Sequence, residues 1–124
     1  MSISSAEDLS QRTLQFTCDV YDFCQELTRL PGIPSRIAYQ LFDAASSVGA
    51  NRHEATAAYN RREFTAKNAI ALKESREVKY WLRVAEAKSL GDKRQRDRLL
   101  RESDELVAIF TATVKRLQSR PDDD

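Results

Sequence analysis

The sequence predicts an all-α chain, an antiparallel up-down-up-down four-helix bundle, and three observations lead there. Glycine and proline are scarce, three of each, and they fall where they can separate four long segments. Each segment carries apolar residues in steps of three and four, the period of a helix with one buried face. No stretch of useful length alternates apolar and polar residues as a half-buried strand would. A chain of 124 residues suits one domain, expected over residues 1–120 with a disordered acidic tail at 121–124.

The first helix should open at Ser4 or Ser5, where Ser4 and Glu7 have the spacing of a capping box. Its stripe of Leu9, Thr13, Phe16, Val20, Phe23, Leu27 and Leu30 runs to about Leu30. Pro31, Gly32 and Pro34 stop it, because proline can neither donate to the preceding turn nor fit against it. The second helix should start near Ser35 and carry Ile37, Leu41, Ala44, Val48 and Ala55 on one side. Gly49 inside it marks a bend or a close approach of another helix.

Asn60, with Glu63 three residues on, is the next cap signal and starts a third helix near Arg61. That helix runs through Phe64, Ala71, Ser75, Val78, Leu82 and Ala85 to Leu90, with Gly91 as its C-cap. Asp92 caps the fourth, whose stripe reads Leu100, Ser103, Val107, Phe110, Val114 and Leu117. Loops this short favour antiparallel neighbours.

The composition excludes several classes of function. Hydrophobic residues at 41% and charged residues at 31% fit a soluble globular chain. Lys and Arg number 20 against 19 Asp and Glu, so recognition of a polyanion would have to come from a local patch. Cys18 and Cys24 lie six residues apart on different sides of one helix and cannot form a disulfide there. Two cysteines and one histidine cannot make a Cys/His zinc site, and no metal or cofactor is expected. No run approaches the roughly 18 apolar residues of a membrane span, and the first residues lack the features of a signal peptide. A cytoplasmic protein is expected.

Two helices carry apolar residues beyond one stripe. The third adds Ala66, Ala69, Ile70, Leu72, Tyr80, Trp81 and Val84; the fourth adds Leu99, Leu106 and Ile109. A second stripe has a second surface to cover, so Ile70, Trp81, Leu99, Leu106 and Ile109 are the expected subunit interface of a homo-oligomer.

The run from Gln40 to Leu90 resembles a known family. Gln40-Leu41-Phe42-Asp43-Ala44-Ala45 with Ser47-Val48, then Asn51-Arg52-His53-Glu54, is similar to its second helix. Glu63-Phe64, the run from Ala69 to Glu77 and Tyr80-Trp81-Leu82 look like its third. These segments resemble a bacterial four-helix-bundle family first noticed in open reading frames within 23S ribosomal RNA intervening sequences. The resemblance implies a ring-like homo-oligomer, a pentamer, with no enzyme activity and with RNA or DNA as a partner. Asn51, Glu54, Glu74 and Ser75 stand in the matching motif segments. The chain departs from the pattern at Phe42 and Asp43, where the family has basic residues, and at Ala55, where it has glycine. Arg52 and His53 replace an Ile-Ala pair. Arg52 projects beside the Leu41–Val48 stripe, so it should meet Glu54, Glu74 or Glu77, or face an oligomer channel.

Among candidate sites, Lys93, Arg94, Arg98 and Arg101, part of a basic segment that also holds Arg96, cluster opposite the leucine stripe of the fourth helix. They could follow a phosphate backbone, or they could be a solvated helix face diluted by Asp92, Asp97 and Glu102. His53 has no Glu-x-x-His partner for a di-iron site and reads as a surface or structural residue. Trp81, Tyr80 and Phe64 could stack on bases, but at helical spacing they read as core or interface. Glu74-x-x-Glu77 and Glu102-x-x-Glu105 would allow a Mg²⁺-dependent all-α nucleotide pyrophosphohydrolase as an alternative, or simply form ion pairs with nearby basic residues. No residue is assigned as catalytic. The reading carried forward is a non-enzymatic oligomeric scaffold or interaction protein with a basic helix face for RNA or DNA.

Overall fold

Four amphipathic segments close on one another in a computed structural model that describes residues 5–119, with side chains from Asp8. Helix α1 spans Ser5–Leu27, α2 Ile33–Thr56, α3 Arg61–Ala87 and α4 Lys93–Gln118. Each helix packs on its neighbours in sequence and α4 returns to α1, so the four form an up-down bundle. The α1–α4 seam is the loosest of the four. The Ser4–Glu7 cap and the 121–124 tail lie outside the described residues.

Small residues let α1 and α2 approach closely. Thr17 Oγ1 donates to Ala45 O at 3.2 Å, Cys24 Sγ to Ala38 O at 3.4 Å, and a Cβ on Gly49 would stand 3.5 Å from Thr13 O. As the residue numbers rise along α1 they fall by the same steps along α2, the register of an antiparallel pair. Gly49 therefore serves close approach.

The α1 stripe from Thr13 to Leu27 is buried as expected, and so are Ile37, Leu41, Ala44, Val48 and Ala55 of α2. Leu30 is exposed, because α1 ends three residues early. Thr28 still bonds Cys24 O, four residues back, whereas Arg29 and Leu30 make the tighter three-residue bonds that bring the chain to Pro31. Helix α2 starts at Ile33, before Ser35, with Pro34 in the first turn, where its missing N–H costs nothing.

Asn60 accepts from the Glu63 amide at 2.9 Å and Asp92 from the Gln95 amide at 2.9 Å, so both predicted N-caps are in place. Glu63 returns its carboxylate to the Tyr59 amide. The C-cap differs from the prediction. Helix α3 stops at Ala87, and its ending is made by Ser89, in the left-handed conformation (φ 54°), two residues before Gly91. Leu90 N–H then bonds Ala85 O at 2.8 Å and Ser89 N–H bonds Glu86 O, the paired bonds of a Schellman ending. Gly91 (φ 74°) instead lets the α3–α4 loop cross directly over Phe23 and Leu27 of α1.

The phase of α4 also differs. Its buried residues are Arg96, Leu99, Ser103, Leu106, Phe110, Thr113 and Val114. Leu100, Val107 and Leu117 flank this stripe half-buried. Both stripes satisfy steps of three and four. The occupied one includes Arg96, which a hydrophobicity pattern counts as surface.

Candidate functional surfaces

The expected interface divides in two. Leu99 and Leu106 are 3% and 1% exposed and belong to the core of the single chain, so they cannot face a second subunit. The apolar count was right, but the helix turned these residues inward. Ile70 is exposed, while Trp81 and Ile109 are half-buried at the surface.

Trp81 sits in a more extended feature. With Ile33, Ile37, Tyr80 and Val84 it lines a groove of about 510 Å³ between α2 and α3. Ile33 is 71% and Tyr80 61% exposed, and Tyr80 meets Trp81 edge to face at 5.2 Å. Trp81 Nε1 donates to Glu77 Oε2 at 3.2 Å, which fixes the indole while leaving its neighbour outward. On the opposite flank of α2, Tyr21, Tyr39 and Phe42 line a second apolar hollow against α1. Tyr39 is 63% exposed, and Tyr21 packs edge to face on Phe42 at 6.0 Å. The two patches share no residue.

The basic face is smaller than the sequence suggests. Lys93 bonds Asp97 at 2.7 Å, and that bond holds the Asp97 carboxyl below its usual range. Arg96 turns inward, where its Nη1 donates to Leu90 O at 2.8 Å and caps the end of α3. Arg94, Arg98 and Arg101 are exposed, and none makes an ion pair among the described residues. Arg98 and Arg101 overlook a groove of about 570 Å³ along the α1–α4 seam. In its walls Asp8, Asp19, Glu102 and Glu105 outnumber the arginines, so a phosphate backbone would run along the outer rim, not the groove floor.

The two Glu-x-x-Glu pairs do not converge. Glu102 takes a two-pronged bond from Arg12 at 2.6 and 2.7 Å, and Glu105 meets the same guanidinium at 3.2 Å. That anchorage raises the Arg12 pKa further above its ordinary value, chiefly through the Glu102 bond. Glu77 is turned to Trp81. Among the described residues no three acids, histidines or cysteines group as a metal site would need.

The family-motif residues serve packing at two levels. Asn51 Nδ2 bonds Ser47 O at 2.9 Å, Ser75 is buried with its hydroxyl on Leu72 O, Glu54 is exposed and Glu74 half-buried. His53 lies on the surface.

Arg52 corrects its prediction most sharply. It is 5% exposed, yet it makes no ion pair among the described residues. Its Nη1 donates to Asn68 Oδ1 at 2.8 Å, and its guanidinium lies 5.6 Å from the Phe64 ring centroid. Its Nε has no partner, and burial lowers its pKa. Asn68 is the residue that sequence reasoning missed. It stands in step with Ala71, Ser75, Val78, Leu82 and Ala85, so the heptad spacing was the signal and its polarity hid it.

Together these features define a small antiparallel four-helix bundle with a filled core, whose distinguishing chemistry lies on its flanks and at one end. A family model described as 23S rRNA-intervening sequence protein matches residues 7–112, and the chain belongs to that family. A crystal structure from Bacteroides thetaiotaomicron, described as a protein with unknown function from the S23 ribosomal protein family, is similar. It is 25% identical, with a TM-score of 0.76 over 86% of this chain and 97% of that one. No curated protein matches. No described helix is long and apolar enough to cross a membrane.

Proposed function

We propose that this protein is a non-enzymatic, cytoplasmic scaffold that assembles head to tail into a ring of its own copies, a pentamer as the family resemblance implies, and presents α4 arginines to RNA or DNA. The observation that carries this reading is the pair of unlike apolar patches on opposite flanks of α2. One is centred on Ile33, Tyr80 and Trp81, the other on Tyr21, Tyr39 and Phe42. A two-fold dimer uses one self-complementary patch, whereas a closed ring needs two different ones. Aromatic side chains are also the usual anchors of such interfaces. Around a ring the modest Arg94, Arg98 and Arg101 face would repeat, and several weak phosphate contacts would act together.

Light scattering should give a mass several times the 14.2 kDa of one chain. Ile33→Glu with Tyr80→Glu, and separately Tyr39→Glu, should each yield monomers with unchanged helical circular dichroism, since these side chains are exposed in the single chain. Mixing the two variants should produce a one-to-one heterodimer, because one intact interface remains available. A wild-type monomer at all concentrations, or no heterodimer on mixing, rejects the ring. The nucleic-acid role predicts salt-sensitive retention of RNA or DNA that Arg94→Glu and Arg98→Glu weaken, and no retention at low salt rejects it.

A further inference from the structure

The two buried arginines are treated unequally by the fold. Arg96 places its charge against the carbonyls of Leu90 and Gly91, at the negative end of the α3 dipole. Arg52 has only the neutral amide of Asn68 and the face of Phe64. The platform beneath it is built. Asn68 is fully buried, and its Nδ2 donates to Phe64 O at 2.9 Å, which fixes Oδ1 toward Arg52. This guanidinium is held firmly, its Nε has no partner, and it makes no ion pair among the described residues, so little of its buried charge is compensated there.

Arg52 also lines a pocket. At the end of the bundle where α1 and α3 begin and α2 and α4 end, a cavity of about 360 Å³ is walled by Leu9, Arg12, Arg52, Phe64, Ile109 and Arg116, with Asp8 and Thr113 completing it. Arg12 is already bound to Glu102 and Glu105. Arg116 is exposed and, like Arg52, makes no ion pair among the described residues, so two guanidinium groups share with Asp8 one pocket that has an apolar wall.

We propose that the pocket formed by Arg52, Arg116, Phe64, Leu9 and Ile109 binds a small organic phosphate monoester. Its phosphate is clamped between the two arginines, and its apolar body lies against the Phe64 side. A guanidinium donates its N–H groups to phosphate oxygens in short, charge-assisted hydrogen bonds. Two guanidinium cations match the near-dianionic charge of a phosphate monoester at neutral pH better than the single charge of a carboxylate. Asp8, which also lines the pocket, disfavours ligands with a second anionic end.

The test uses the full chain and three probes: phenyl phosphate, inorganic phosphate and benzoate. In amide NMR titrations, phenyl phosphate should shift the Leu9, Arg52 and Phe64 signals saturably. Inorganic phosphate and benzoate should each bind more weakly, the first lacking the apolar body and the second the second charge. Affinity for phenyl phosphate should rise between pH 5 and pH 7.5 as its second proton, with a pKa of about 6, is lost. Arg116→Gln lies on the surface and leaves the fold intact; it should weaken binding at least tenfold, and Arg52→Met should abolish it. If Arg52→Met fails to fold, the Arg116→Gln result and the position of the shifts still decide. No saturable shift at about 10 mM, shifts outside this pocket, or equal binding by Arg116→Gln overturns the proposal. Benzoate binding as tightly as phenyl phosphate overturns the assignment of a phosphate.

Discussion

Of the three glycines, Gly91 should be the one least able to accept a methyl, so Gly91→Ala should destabilise the chain. Residue 91 has φ 74°, where an L side chain meets its own carbonyl at a cost of about 1–2 kcal/mol. Its Cβ would also stand 2.7 Å from Phe23 Cζ and 2.9 Å from Leu27 Cδ1. Both side chains are fully buried, so neither can swing away, and overpacking of this kind costs about 1–3 kcal/mol. The smaller conformational freedom of alanine in the unfolded chain returns about 0.4–1 kcal/mol. The net loss should be about 1–5 kcal/mol, or roughly 4–20 °C in Tm for a domain of this size. Urea melts at fixed protein concentration, followed by circular dichroism, measure it; the concentration must be held because self-association would stabilise the folded state.

A double-mutant cycle tests the cause. Phe23→Leu removes the ring edge that the new methyl strikes, so the double variant should be more stable than the two single losses predict, by about 1 kcal/mol or more. A Gly91→Ala loss below about 0.5 kcal/mol, or an additive cycle, would refute the account of Gly91 as a steric requirement of the α3–α4 crossing.

Two further predictions concern stability. Burial pushes the Cys24 thiol from its ordinary value of 9.0 up to about 12. The folded chain therefore keeps this proton where the unfolded chain loses it. The corresponding stability is complete below pH 9 and is lost as pH rises from 9 to 12, by an amount on the order of 4 kcal/mol at most. The alkaline decline of wild type should exceed that of Cys24→Ala, and a thiol reagent at pH 8 should modify exposed Cys18 while sparing Cys24 until the chain unfolds. Equal reactivity of the two thiols would contradict the burial. Asn60→Ala and Asp92→Ala each remove a side-chain acceptor from a helix N-terminus and should each cost about 1 kcal/mol in urea melts, with Asp92→Asn nearly neutral.

The candidate surfaces were legible in the sequence only in part. Trp81 and Tyr80 announced themselves as apolar residues outside the α3 stripe, and the structure leaves them at the surface. The second patch did not, because Tyr21, Tyr39 and Phe42 lie on two helices that meet only in the folded chain. The basic run of α4 was visible, but not that Lys93 would pair with Asp97 or that Arg96 would turn to the end of α3. Arg52 was marked as a charge in a core stripe, whereas its partner Asn68 passed unnoticed because an isolated asparagine carries no pattern of its own.

The sequence by itself determined the number of helices, their order, two of the N-caps and most of the buried stripes. These are local properties, set by where proline and glycine interrupt the chain and by apolar residues recurring with the helical period. The tertiary structure alone decided the rotation of α4, since the Leu99–Leu106 and Leu100–Val107 phases have equal spacing and only the packed neighbours choose between them. It also decided that Ser89 ends α3 while Gly91 clears a path for Phe23, and that the buried Arg52 bonds the neutral amide of Asn68 at the wall of a pocket. Each of those outcomes depends on atoms brought together from different helices, where steric fit and charge compensation act across distances that no spacing along one stretch of sequence records.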